Sequence, residues 1–62
     1  MKRRALLKHL RRHGCILKRE GRSHSLWVNP RTGGMEAVPR HSEIADRLAA
    51  KICEGLSVPK RR

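Results

Sequence analysis

Ile44, Leu48, Ile52 and Leu56 recur every four residues, with Ala45 and Ala49 beside them, and form the cleanest apolar stripe of the chain. Side chains at that spacing share one helical face, and such a face needs a partner surface. The chain has 62 residues, so it is one domain at most. A domain of this size removes only about 60% of its unfolded surface from water. A large substrate cleft is therefore not expected, and any chemistry should sit on an open surface.

The partners for the stripe can be read along the chain. Residues 2–13 read as an amphipathic helix, with Leu6, Leu7 and Leu10 on one face and Lys8, Arg11 and Arg12 off it. Gly14 is a helix stop, and His13 in the last turn suits the negative end of the helix dipole. Cys15 to Glu20 is a short strand candidate, followed by a turn at Gly21-Arg22, where glycine can take a positive φ. Ser23 to Asn29 is the second strand. Its alternation puts His24, Leu26 and Val28 on one face and Ser25, Trp27 and Asn29 on the other, and either face could be the buried one. Asn29 to Gly34 is a turn cluster, and Met35 to Val38 is a third strand. Ser42 is the expected N-cap of the second helix, with Glu43 and Asp46 in its first turn and Gly55 closing it. Leu6, Leu7, Leu10, Leu48 and Ile52 are expected in one core, flanked by Ile44 and Leu56. The layout is α-β-β-β-α, an α+β class fold with a three-stranded antiparallel sheet and two helices packed on one face. The double-stranded RNA-binding domain (dsRBD) has the same order of elements. A single domain over residues 1–59 and a basic tail over residues 60–62 complete the expected organisation.

Sixteen Lys and Arg against five Asp and Glu give a formal charge of +11. Such a balance selects polyanionic partners through phosphate contacts and counterion release, with nucleic acid first among them. A membrane is not expected as partner: no segment approaches the roughly 20 apolar residues of a spanning helix. No signal peptide is expected either, since Lys8 interrupts the apolar run at Ala5-Leu6-Leu7. Cys15 and Cys53 form no CxxC pair, and His9/His13 at i, i+4 is the only spacing that suits a metal. Two buried free thiols, no metal and no cofactor are expected.

The stretch Glu20-Gly21-Arg22-Ser23-His24-Ser25-Leu26-Trp27 carries the chemistry. His24 stands at the mouth of a strand, beside a turn, among cations, and histidine exchanges its proton near neutral pH. That placement suits a lone general base. It suits equally a surface histidine with no chemical task. His41, after Pro39-Arg40 at the entry to the second helix, is a second candidate, because a helix N-terminus binds phosphate. Trp27 is expected in the core or a partner interface sooner than under an RNA base.

These residues resemble the HicA family of small ribonuclease toxins. The resemblance runs from the first helix to Pro59. In one branch of that family the strand reads His-Ser-x-Trp and ends at Asn-Pro, as His24-Ser25-Leu26-Trp27 and Asn29-Pro30 do here. Val-Pro-Arg-His-x-Glu-Ile follows, matching Val38 to Ile44, and Lys-Ile-Cys matches Lys51-Ile52-Cys53. Many relatives carry Gly-Ser-His-His at the active position. Here Gly21 lies one residue earlier and Ser25 replaces the second histidine, leaving a single-histidine site. The resemblance implies a dsRBD-like fold, a cytoplasmic messenger RNA substrate, and a HicB-type antitoxin as partner.

The expected activity is metal-independent RNA cleavage in a type II toxin–antitoxin system. His24 is the expected catalytic residue. Lys8, Arg11, Arg12, Arg19, Arg22, Ser23, Arg40, His41 and Lys51 are the expected RNA-binding residues. A non-catalytic RNA-binding module of the same fold is the alternative, and it makes His24 incidental.

Overall fold

A computed structural model describes residues 1–60 as helix α1 (Arg3–Arg12), strands β1 (Ile16–Glu20), β2 (His24–Val28) and β3 (Met35–Pro39), and helix α2 (Asp46–Gly55). Arg61 and Arg62 of the expected basic tail lie outside the described residues. The sheet is antiparallel in the order β1-β2-β3. Both helices lie on one of its faces, so the molecule is two layers thick and measures 29 × 27 × 16 Å.

The register settles which face is covered. Ser25, Trp27 and Asn29 are buried beneath the helices. His24, Leu26 and Val28 alternate with them and line the open face, paired across to Pro39, Ala37 and Met35 of β3. On β1 a bulge between Leu17 and Arg19 leaves Lys18 without a partner, so Ile16 and Arg19 share the open face while Leu17 and Glu20 pair toward the helix side. Strict alternation would have sent Glu20 to the same face as Ile16. One extra residue reverses that.

The core joins Leu6, Leu7 and Leu10 of α1 to Ala49, Ile52, Cys53 and Leu56, with Trp27, Val38, Ile44, Cys15 and Val58 completing it. Leu48 is only half-buried and packs at the edge of this cluster. The buried positions of α2 follow an i, i+3, i+4, i+7 pattern from Ala49, a narrower stripe than the fourfold repeat that begins at Ile44. The helix also starts later than the local signals suggest. Ser42 is no N-cap: the helix begins at Asp46 with Ala45 as N-cap and no side-chain cap. Residues 42–44 are instead held against the first residues of the chain. The Arg3 N–H donates to the Ser42 carbonyl at 2.9 Å, and the Ile44 N–H donates to the Met1 carbonyl at 2.7 Å. Lys2 and Glu43 form an antiparallel bridge. The Met1 ammonium donates to Glu43 Oε2 at 2.9 Å, to the Ile44 carbonyl at 2.9 Å and to Asp46 Oδ1 at 3.3 Å.

Both helices end in Schellman motifs. In α1 the Gly14 N–H reaches the Arg11 carbonyl and the Cys15 N–H reaches the Leu10 carbonyl, with Gly14 at φ +87°. In α2 the matching bonds run from Ser57 to Glu54 and from Val58 to Cys53, so Ser57 (φ +56°) and not Gly55 takes the left-handed position. Cys15 and Val58, each just past its turn, plug the core.

Asn29 ties the β2–β3 turn to the end of α2. Its Nδ2 donates to the Leu56 carbonyl at 2.7 Å, and its Oδ1 accepts the Arg31 N–H at 3.0 Å. Both side-chain groups are thus satisfied inside the protein. Asn29→Ala strands the Leu56 carbonyl and should cost about 1–3 kcal/mol, read as a fall in urea midpoint. Asn29→Asp, which exchanges a donor for a charge facing that carbonyl, should cost at least as much. An unchanged midpoint in Asn29→Ala would show that water replaces the bond.

Candidate active site on the open sheet face

His24 opens β2, is exposed, and faces away from the helices. Its side chain has no hydrogen-bond partner among the described residues. Arg22 and Ser23 form the exposed tip of the β1–β2 hairpin, closed by the Gly21 N–H donating to the His24 carbonyl at 2.8 Å. Gly21 does not take the expected positive φ. What requires glycine there is close approach: a Cβ would stand 2.9 Å from that carbonyl oxygen.

Arg19 pairs with Leu26 and is therefore a diagonal neighbour of His24 on the open face, within range of a long side chain. Pro39 is the cross-strand partner of His24, and Arg40 and His41 follow it, both exposed. The fold thus brings Arg19, Arg22, Ser23, Arg40 and His41 to the sheet end that carries His24. His41 does not stand at a helix N-terminus, because α2 begins five residues after it.

The remaining candidates lie in the other layer. Lys8, Arg11 and Arg12 are on α1, and the Arg11 guanidinium sits 5.2 Å from the Trp27 ring centroid, under the sheet. Lys51 is on α2, 3.9 Å from Glu36. Trp27 is buried, and its indole N–H has no hydrogen-bond partner among the described residues. It is covered by α1 and cannot stack on a base.

A network that local sequence did not signal holds the hairpin end. Arg3, the first residue of α1, donates from Nε to the Pro39 carbonyl at 2.8 Å and from Nη2 to Ser25 Oγ at 2.9 Å. The Ser25 hydroxyl donates in turn to Glu20. Arg40 Nη2 lies 3.1 Å from Glu20 Oε1 and donates to the Gly21 carbonyl at 2.6 Å. Arg3 and Arg40 therefore clamp both ends of the segment from Glu20 to Ser25, with His24 between them on the opposite face. Glu20 belongs to this clamp and is directed away from His24. Arg3 is missed by sequence reading because it is one of three consecutive cations, Lys2-Arg3-Arg4, and only tertiary contacts distinguish it.

The Ser25 hydroxyl, and secondarily the charges of Arg40 and Arg3, hold the Glu20 carboxyl below its ordinary range. A carboxyl whose folded-state pKa is depressed contributes stability above its unfolded value, and loses that contribution as pH falls through the folded one. Acidification below the ordinary glutamate range of about 4.5 should therefore weaken the clamp. The loss of urea midpoint between pH 7 and pH 3 should be smaller in Glu20→Gln than in wild type. Equal losses would remove Glu20 from the acid response.

The helix face holds a different grouping. His9 Nε2 donates to the Pro59 carbonyl at 2.6 Å, and its ring meets that of His13 edge-on with centroids 4.7 Å apart. Cys15 and Cys53 are both buried, and burial pushes the Cys15 thiol up. Among the described residues no group of three or more His, Cys, Asp or Glu side chains is placed to hold a metal ion. No helix among them is long and apolar enough to cross a membrane. Comparison with protein-family models, with curated proteins and with solved structures finds no match.

Proposed function

We propose that this chain is a ribonuclease toxin of the HicA type, with His24 as its general base. The observation that carries the reading is the position of His24. It is exposed on the uncovered sheet face, its side chain without a hydrogen-bond partner among the described residues, at a hairpin end that also carries Arg19 and Arg22, while Arg40 is held by Glu20 on the opposite face. The His-Ser-Leu-Trp and Val-Pro-Arg-His motifs support it independently.

RNA supplies its own nucleophile, the 2′-hydroxyl. His24 takes the proton of that hydroxyl as the oxygen bonds to the adjacent phosphorus. The bond from phosphorus to the 5′ oxygen then breaks, and that oxygen takes up a proton from the imidazolium or from water. The products are a 2′,3′-cyclic phosphate and a 5′-hydroxyl. Arg19 and Arg22 stand where they can offset charge on the phosphate. A positioned base accelerates such a step by about 10²–10⁴-fold. A site with one such group is a slow ribonuclease, which suffices for a toxin that needs few turnovers.

The substrate in this reading is cytoplasmic messenger RNA. The protein that restrains the enzyme is a HicB-type antitoxin covering His24, whose co-expression restores growth. The test is cleavage of a long unstructured RNA in EDTA by wild type and by His24→Ala. Activity in the folded variant equal to wild type would replace the enzyme with a non-catalytic RNA-binding module. Loss of wild-type cleavage in EDTA, restored by zinc or magnesium, would replace the histidine mechanism with a metal-dependent one.

A further inference from the structure

The open face has a second region, at the far end of β2 from His24. Ile16, Val28 and Met35 are paired side by side across all three strands, and Leu26 and Ala37 form the next row. Ile16 and Met35 are about half exposed, at 53% and 47%. Lys18 at the bulge reaches over this surface, its Nζ 3.6 Å from Met35 Sδ, and Arg19 stands on the same face beside Leu26. Val28 and His24 are four residues apart on one strand, about 13 Å at the usual rise. An aliphatic row bordered by cations thus lies along the strand from the candidate general base.

From this arrangement we propose that the row Ile16–Val28–Met35 is a base-contacting subsite for single-stranded RNA, engaging nucleotides a short distance along the strand from the linkage at His24. The inference rests on the ribonuclease reading and adds to it where the bases go. Charge selects the occupant. A second copy of this chain would bring another +11 onto a face already carrying Lys18 and Arg19, whereas a polyanion with apolar faces matches both features. It also selects single strands. In a duplex the base faces are stacked inside, so a flat aliphatic row would meet only sugars and phosphates. An unpaired strand can lay its bases on the row while its phosphates meet Lys18 and Arg19, as sequence-tolerant single-strand binders do with aromatic platforms. Trp27 is the only Phe, Trp or Tyr of the chain and is buried, so aliphatic contact takes the place of aromatic stacking.

The experiment uses the full chain and a short unstructured oligoribonucleotide, intact or carrying one abasic position, with cleavage and equilibrium binding both measured. Ile16→Ser with Met35→Ser should raise KM for the single strand about tenfold, leave kcat within about twofold, and leave weak binding to the annealed duplex unchanged. An abasic position at one point along the strand should weaken wild-type binding by a similar factor and add little to the loss in the variant, because the two changes remove one contact. Met35→Gln, nearly volume-conserving, gives the same reading if the double variant does not fold. Unchanged single-strand affinity, an equal loss on duplex, or full additivity with every abasic position would overturn the subsite. Unchanged RNA affinity with altered sedimentation would make the row a contact between copies instead. The two readings fail separately. Cleavage by His24 with a silent row removes only the subsite, whereas a row effect on binding with cleavage intact in His24→Ala removes only the general base.

Discussion

His24→Ala should lower cleavage of a long unstructured RNA by about 10²–10⁴-fold, the contribution of one positioned base, with RNA affinity held within about threefold of wild type. The side chain is exposed and lies on the face opposite the Arg3–Ser25–Glu20–Arg40 clamp. Its truncation therefore leaves no buried cavity and breaks no hydrogen bond among the described residues. In the proposed reading affinity would come mainly from phosphate contacts by Lys and Arg, so the loss is expected in kcat. His41→Ala should cost less, since His41 is not at a helix N-terminus. His9→Ala and His13→Ala should leave cleavage near wild type, because both belong to the helical layer. Circular dichroism establishes that each variant is folded. Products ending in 5′-phosphate and 3′-hydroxyl would keep an enzyme but reject attack by the 2′-hydroxyl.

The largest effect on stability is expected from Leu10→Ala. Leu10 is fully buried on α1 within the core, and a cavity of that kind costs about 2–5 kcal/mol. At ordinary stability per residue, a chain of 62 residues has only about 3–9 kcal/mol in total. The variant should therefore lose roughly half of its stability, seen as a large drop in urea midpoint with an unchanged slope. Ile16→Ala, on the open face, should cost about 1 kcal/mol or less. Similar midpoints for the two variants would contradict the placement of the helices on a single face of the sheet.

The class of the fold follows from local signals. Leu6, Leu7 and Leu10 repeat at helical spacing, Gly14 stops the first helix, and the turn cluster from Asn29 to Gly34 separates two strands. Patterns of this kind depend on residues close together in the chain, and the same physics acts on them before and after folding. The candidate site was legible to the same extent: His24 beside a basic hairpin is a local arrangement. Which face it occupies was not. Both faces of β2 carry apolar side chains, Leu26 and Val28 on one and Trp27 on the other, so burial by itself is ambiguous there. The tie is broken by Ser25 and Asn29, whose polar groups find partners on Arg3, Glu20 and the Leu56 carbonyl only when turned inward.

The start of α2 shows the same division from the other side. Ser42, Glu43 and Asp46 make a good local helix start. Yet backbone bonds from Arg3 to Ser42 and from Ile44 to Met1 hold residues 42–44 outside the helix, which begins only at Asp46. The bulge at Lys18 likewise moves Glu20 away from His24 and into the clamp with Ser25 and Arg40. The chain by itself thus determined which elements form, their order, and its net charge of +11. The tertiary structure alone decided which side chains share a face, because strand register, a one-residue bulge and bonds between residues some forty positions apart leave no periodic trace in the sequence.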